Sequence, residues 1–223
     1  MAYDWYWSVI WQFKGALLKG FLITLELSIL VILAGTIFGL FLALLRRTEH
    51  PIIKIPTVFI IEIIKDLPIL VILIWLYYVL PIWGIIISGF TAAFIGLSLS
   101  LSAFVSETFR SGIESIHKGQ MESAISLGYT KSQAMFKVVL PQTFKQILPN
   151  LMGLYIHQIK NTALASVIAV DELLHTTNII ISSTYRPLEL YTAIAVIYLI
   201  IIIPIVFVSH YFERRLGIKV RTL

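Results

Sequence analysis

The chain has 223 residues, of which 58% are hydrophobic and 13% charged, with a mean hydropathy of +0.91. Soluble chains carry roughly 45–50% apolar residues and about a quarter charged ones; a soluble globule of this size could not hide the excess, so lipid must solvate most of it. The net charge of +5 marks the cytoplasmic ends of a membrane protein rather than a nucleic-acid partner, and the absence of cysteine excludes disulfides, thiolate metal sites and a cysteine nucleophile.

The first nineteen residues are aromatic and amphipathic (Trp5, Tyr6, Trp7, Trp11, Phe13) and suit a membrane interface. The apolar run from Gly20 to Leu45 is too long for the core of a secretory signal and lacks a small-residue cleavage site. It predicts a first span, ending at Arg46-Arg47. A mixed segment, Pro51 to Asp66, carries Lys54, Glu62, Lys65 and Asp66 among Ile, Val and Phe. Leu67 to Ile87 predicts a second span with Asp66 as its cap, Pro68 in its first turn and Pro81 bending its far end. Gly89 to Phe109 predicts a third span, rich in Ala92, Ala93, Gly96, Ser98, Ser102 and Ser106. Gly35, Gly39 and Ala43 form a matching stripe on the first span, and small residues let helix backbones approach closely in lipid.

Residues 110–145 form the one long polar stretch. A fourth span is predicted over 147–170, interrupted by Lys160-Asn161-Thr162. A short polar segment, Asp171 to Glu189, leads to a fifth span over 190–212 and a basic tail with Arg214, Arg215, Lys219 and Arg221. Five spans alternate sides. With the N-terminus outside, twelve Lys and Arg fall inside, while Lys14, Lys19 and Arg186 fall outside, which predicts N-out and C-in.

The polar stretch has its own architecture. Gln120 to Leu127 reads as a short helix stopped by Gly128 in a left-handed cap. Thr130 and Gln133 have the spacing of a capping box and start a second helix, predicted to run to Leu140 before Pro141. Such a helix–glycine–helix elbow is a rigid projection suited to docking into another protein; an amphipathic connector resting on lipid headgroups is the alternative.

Glu122-Ser123-Ala124, then Gly128, then Val138-Val139-Leu140-Pro141 resembles the EAA loop of binding-protein-dependent ABC importer permeases. The upstream Glu107-Thr108-Phe109-Arg110 and Gly119-Gln120 extend the match toward the branch that imports polar amino acids. Lys65-Asp66-Leu67-Pro68 and Lys160-Asn161-Thr162-Ala163-Leu164 resemble two further segments of that branch. Departures are Ser123 for alanine, Lys65 for arginine, Asn161 for an acid and Ala163 for a hydroxyl residue.

The resemblance implies an all-α integral membrane protein with the MetI-like type I permease fold, one transmembrane domain over residues 1–223, in the bacterial inner membrane. It implies a non-catalytic subunit with Glu122, Ser123, Ala124, Gly128, Leu140 and Pro141 coupling it to a cytoplasmic ATPase dimer. ATP and magnesium would be bound by that partner, and no metal or cofactor by this chain. The further implied partners are a second permease, identical or homologous, an external solute-binding protein and the amino acid itself. In keeping with this, Gly15-x4-Gly20 and Gly84-x4-Gly89 have the glycine spacing of a phosphate-binding loop, but Phe follows where Lys is required.

Ionisable and polar residues within spans are candidates for the transport path. Glu62, Lys65 and Asp66 lie within one helical turn and can pair with one another, serving either as an interfacial anchor or as a gate. Glu107 is expected to pair with Arg110. Lys160, in a span broken by Asn161 and Thr162, could attract a carboxylate, snorkel to the outer interface or pair with Asp171 or Glu172. Asp4-Trp5 and the stretch Leu73-Ile74-Trp75 through Pro81 look most like permeases for glutamate and aspartate. An ATP-independent transporter or channel would share the composition but would not need the elbow, and no inverted repeat is visible. An intramembrane enzyme lacks support, since neither Gly-x-Ser-x-Gly nor His-Glu-x-x-His occurs.

Overall fold

A computed structural model of the protein describes residues 3–215. Lys219 and Arg221 of the basic tail lie outside the described residues. Every regular element among the described residues is helical. A short α1 (Ser8–Gln12) precedes α2 (Lys14–Leu45), α3 (Pro51–Asp66) and α4 (Ile69–Ile74), which continues through a π turn, Trp75–Val79, and a 3-10 turn, Leu80–Trp83. Next come α5 (Gly89–Ser115), α6 (Lys118–Ser126), α7 (Lys131–Ala134), a π turn, Met135–Val139, and α8 (Leu140–Asn161). A 3-10 segment, Thr162–Ile168, α9 (Leu173–Thr184) and α10 (Pro187–Arg215) complete the described chain.

The centre of the fold is the pair α2 and α5, and glycine lets them approach. A Cβ at Gly35 would stand 2.8 Å from Leu101, and one at Gly39 would stand 2.6 Å from Val105 and 2.8 Å from the Ser102 carbonyl oxygen. The small-residue stripes on both spans are therefore packing surfaces. Ala92, Ala93, Leu97 and Val105 of α5 are completely buried against Leu27, Val31, Leu73 and Ala165 of the surrounding elements. Farther along α5, Gly112 fits so closely under Ile147 of α8 that a Cβ would overlap it. The chain's central helix is thus clamped to α2 at one level and to α8 at another.

Several boundaries differ from the sequence expectation. The first span starts at Lys14, six residues before Gly20, because the amphipathic N-terminal segment continues as helix. Asp66 does not cap the second span. It is the last residue of α3, and Pro68 takes the cap position of α4. The second span is also shorter than the predicted 67–87: the apolar helix covers Ile69–Trp83. Fifteen residues rise about 22 Å at 1.5 Å each, short of a hydrocarbon core of about 30 Å. The third span runs on to Ser115.

Segment 171–189, predicted as a polar connection, contains α9, whose apolar side packs in a second core with Val9, Leu17, Leu190 and Ile194. The run Lys131–Ile168 and α9 form a pair bent by 48°. By length and composition three helices among the described residues can cross a membrane, or four if that bent pair counts as one.

The N-terminal segment is clasped to α10. Tyr3 donates to Glu189 at 2.7 Å, the Tyr6 amide donates to the same carboxylate at 2.8 Å, and Arg186 donates to the Asp4 carbonyl at 2.6 Å. The Trp5 and Trp7 rings stack at 5.1 Å.

Candidate functional site

Three structures stand out: the elbow, a charged cluster where α2, α3 and α5 meet, and a cavity beneath a broken helix. The elbow is built almost wholly by local chemistry. Gly128 has φ +91, in the left-handed region that glycine enters without penalty. Its amide donates to the Ile125 carbonyl at 2.9 Å, and the Tyr129 amide reaches back to the Ala124 carbonyl at 3.1 Å. That pattern is a Schellman closure of α6. One residue later the capping box is complete: the Gln133 amide donates to Thr130 Oγ1 at 3.2 Å, and the Thr130 amide donates to Gln133 Oε1 at 3.0 Å.

Of the elbow residues, Ala124 is buried with Ala134 and Val139, whereas Glu122 and Ser123 are exposed. Gln142 Nε2 donates to Gln120 Oε1 at 3.1 Å and Lys137 lies over the Tyr129 ring at 5.6 Å, which fixes the angle between the two arms. Leu127, 80% exposed, and Phe136, 60% exposed, stand out from the turn as an apolar knob.

Pro141 does not end the second arm. The π turn Met135–Val139 widens the helix so that the Leu140 amide bonds the Met135 carbonyl, five residues back, and Pro141 then falls in the first turn of α8, where an amide is dispensable. Leu140 and Pro141 are therefore a joint inside one continuous helix. From Lys131 to Ile168 the elbow and the fourth span form a single run.

On α5, Glu107 is a hub. It accepts from Arg110 on its own helix and from Arg46 at the end of α2 at 2.9 Å, and Lys65 of α3 stands 4.0 Å away. Arg110 pairs in addition with Glu114. The expected Glu107–Arg110 pair is present, but the sequence held no signal for Arg46 or Lys65. Within the trio Glu62, Lys65 and Asp66, Lys65 pairs with Glu62 at 3.0 Å; Asp66 is exposed and makes no ion pair among the described residues.

The cavity, about 200 Å³, lies between α3–α4, α5 and α8. Its polar lining comes from Lys65, Ser100, His157, Gln158 and Asn161. Asn161 Nδ2 and His157 Nδ1 are 3.1 Å apart. Gln158 is only 3% exposed, and its Nε2 has no hydrogen-bond partner among the described residues. A buried amide without a partner costs roughly 1–3 kcal/mol. Sequence reasoning passed over Gln158, although a glutamine in an apolar span one turn before Asn161 was a usable signal.

Lys160 points elsewhere. It is exposed and does not line the cavity, and neither expected acidic partner pairs with it. Asp171 lies 3.6 Å from His175. The buried Glu172 accepts from the Leu174 and His175 amides at 2.9 and 2.7 Å and from Tyr198 at 3.3 Å. Thr162 is buried and donates to the Ile159 carbonyl at 2.7 Å. Of the substrate-path candidates, then, Lys65 and Asn161 share the cavity, Glu62 pairs with Lys65, and Asp66, Lys160 and Thr162 lie outside it.

Comparison with known proteins agrees with this architecture. Residues 35–218 match the family of binding-protein-dependent transport system inner membrane components. The chain is 33% identical to a probable glutamine ABC transporter permease of Bacillus subtilis, over 94% of this chain and 97% of that one. It is 34% identical to a glutamine transport system permease of Escherichia coli, over 98% and 100%. A chain from the crystal structure of an amino acid ABC transporter with histidines superposes with a TM-score of 0.90 at 36% identity, covering 96% of this chain and all of that one. The methionine transporter MetNI, at 17% identity and a TM-score of 0.78, shares the fold. With the family matched over most of its length and an elbow of the expected form, the chain belongs to the binding-protein-dependent transport system inner membrane components, as a non-catalytic amino-acid ABC transporter permease whose ATPase is a separate protein.

Proposed function

We propose that this permease carries a neutral polar amino acid, of the glutamine class, inward through the cavity under the broken helix. The observation that carries the reading is the unpartnered Gln158 amide beside Asn161 and His157. Neutral hydrogen-bonding groups suit an amide side chain. The one cation in the lining, Lys65, is offset by Glu62 at 3.0 Å and Glu107 at 4.0 Å, which leaves little net charge to favour a second carboxylate. The names of the two glutamine permeases compared above point the same way, and the expectation of glutamate and aspartate rests on the Asp4-Trp5 and Leu73–Pro81 segments alone.

In this reading the chain crosses the inner membrane five times, through α2, the α4 run continued by the non-helical residues 84–88, α5, the bent helix from Lys131 and α10. The single domain spans residues 1–223, with the elbow and the Arg46–Arg47 end of α2 inside. The close pairing of Arg46 with Glu107 supports placing those two helix ends on one side, and the basic ends favour the cytoplasm. Glu122, Ser123 and the Leu127–Phe136 knob seat in a cytoplasmic ATPase dimer. A second permease, identical or homologous, completes the channel, and a solute-binding protein delivers substrate outside. Because the elbow continues without a break into the helix that lines the cavity, a rotation of the elbow is transmitted to Gln158 and Asn161 as a rigid lever.

The test is uptake by the complete complex in proteoliposomes, with labelled glutamine competed by unlabelled glutamine, glutamate, aspartate and histidine. Preferential competition by glutamine supports the reading. Preferential competition by glutamate or aspartate would return the substrate to the acidic class, and uptake by the permease alone down an ion gradient would remove the ATP-driven mechanism.

A further inference from the structure

A second cavity, about 360 Å³, opens where α2, α3 and α5 end together, and none of the transport roles above uses it. Its lining is four cations, one carboxylate and one apolar residue: Arg46, Arg47, Lys54, Arg110, Glu114 and Val58. Arg46 is anchored by Glu107 at 2.9 Å, with only 9% of its side chain exposed, and Arg110 is held between Glu107 and Glu114. Arg47 and Lys54 are exposed and make no ion pair among the described residues, so positive charge is left over after internal pairing. Glu49, in the loop between them, does not line the cavity.

The surroundings indicate the depth at which this cavity sits. On α3, Lys54 and Val58 are one turn apart and face the cavity, whereas Ile52, Ile55 and Phe59 form the opposite face and are 89%, 67% and 65% exposed. A helix with an apolar outer face and a basic inner face lies at the boundary between acyl chains and headgroups. Basic pockets between membrane helices on the cytoplasmic side take phosphate headgroups. Guanidinium groups fixed by carboxylates are preorganised forks for phosphate oxygens.

We propose that this cavity binds a phosphate group at the membrane–water boundary, supplied by the headgroup of an anionic phospholipid or by free phosphate. Arg46 and Arg110 form its fixed wall, and Arg47 and Lys54 close over the ligand. The orientation proposed above decides only which leaflet the site faces. Its occupancy would steady the junction of α2, α3 and α5 around Glu107.

Native mass spectrometry of the purified complex of this chain with its ATPase, titrated with phosphatidylglycerol, with phosphatidylcholine of the same acyl chains and with inorganic phosphate, tests the proposal. Phosphatidylglycerol adducts are expected at several-fold higher occupancy than phosphatidylcholine. The double variant Arg47→Gln/Lys54→Gln should bring them down to the phosphatidylcholine level, and Arg47→Lys/Lys54→Arg should largely restore them. Displacement of the lipid by millimolar phosphate, or phosphate adducts alone, would identify the free anion as the source. Equal retention of both lipids with no phosphate adduct, or undiminished binding in the double variant at unchanged thermal stability, overturns the site. So does a double variant that keeps its phosphatidylglycerol but loses its ATPase, since the basic patch would then be a protein contact.

Discussion

The chain is interrupted twice around its longest helical run, and the two interruptions are solved in opposite ways. At Gly128–Thr130 the backbone turns where its residues are exposed. Its freed groups are met by residues within five positions: Ile125 and Ala124 on one side, Gln133 on the other. At Ala169–Glu172 the backbone turns where side chains are packed. There the Leu173 amide donates to Thr24 of α2 at 3.1 Å, Glu172 caps α9, and Tyr198 of α10 completes the carboxylate's shell. The first break is self-sufficient and can move as a body; the second belongs to three helices at once. The proposed lever needs both a rigid handle and a fulcrum fixed to the frame, and in that reading the two breaks serve as these.

The largest expected effect is at the fulcrum. Glu172→Ala would leave two α9 amides and the Tyr198 hydroxyl without their acceptor in a buried setting. At roughly 1–3 kcal/mol for each buried group left unsatisfied, the variant should lose several kcal/mol and assemble poorly, read as a lower midpoint for thermal unfolding in detergent and a loss of monodisperse protein. Normal yield and stability would show that the second break is as self-sufficient as the first.

Gln158→Leu sharpens the comparison from the cavity side. Replacing an amide that has no partner removes an existing penalty, so stability should hold or rise. Uptake should weaken, with KM for glutamine raised about five- to tenfold, the equivalent of one lost hydrogen bond of about 1 kcal/mol. At the elbow, Thr130→Ala removes one half of the capping box. The expected cost is about 1 kcal/mol, visible as a small rise in hydrogen exchange of the Lys131–Gln133 amides with the rest of the protein unchanged. The smallest effect is expected of Lys160→Ala. The side chain is exposed and lies away from the cavity, so uptake should change less than twofold, and a large loss in uptake kinetics would place substrate on the outer face of α8 instead.

The same contrast decides what could be read from the sequence. Gly128, Thr130 and Gln133 announced the elbow because their interactions are local and their spacing is the interaction. The small-residue stripes announced close helix contacts for a similar reason, since one helix face carries all the information: Gly35 and Gly39 take Leu101 and Val105 of α5, and Gly96 takes Leu73 and Leu76 of the α4 run. Pro141 misled because a π turn supplies a slack residue that no periodicity reveals. Segment 171–189 misled because Glu172, Thr177 and Glu189 are polar yet completely buried, each satisfied by a partner far away in the chain or by its own helix. Gln158 and the Arg46–Glu107–Lys65 cluster depend on which helices meet, and composition does not contain that. In a membrane protein the polar residues are few, so each one misread shifts the site.

The continuity of elbow and cavity-lining helix is tested most directly by Gly128→Val in the complete complex, with ATP hydrolysis and glutamine uptake measured in the same proteoliposomes. A β-branched residue at φ +91 costs on the order of 1–2 kcal/mol and distorts the Schellman closure. Hydrolysis that persists while uptake falls at least tenfold is the expected result, because the ATPase still turns over but its motion no longer reaches α8. Uptake and hydrolysis both at the level of the unmodified complex would contradict the rigid lever.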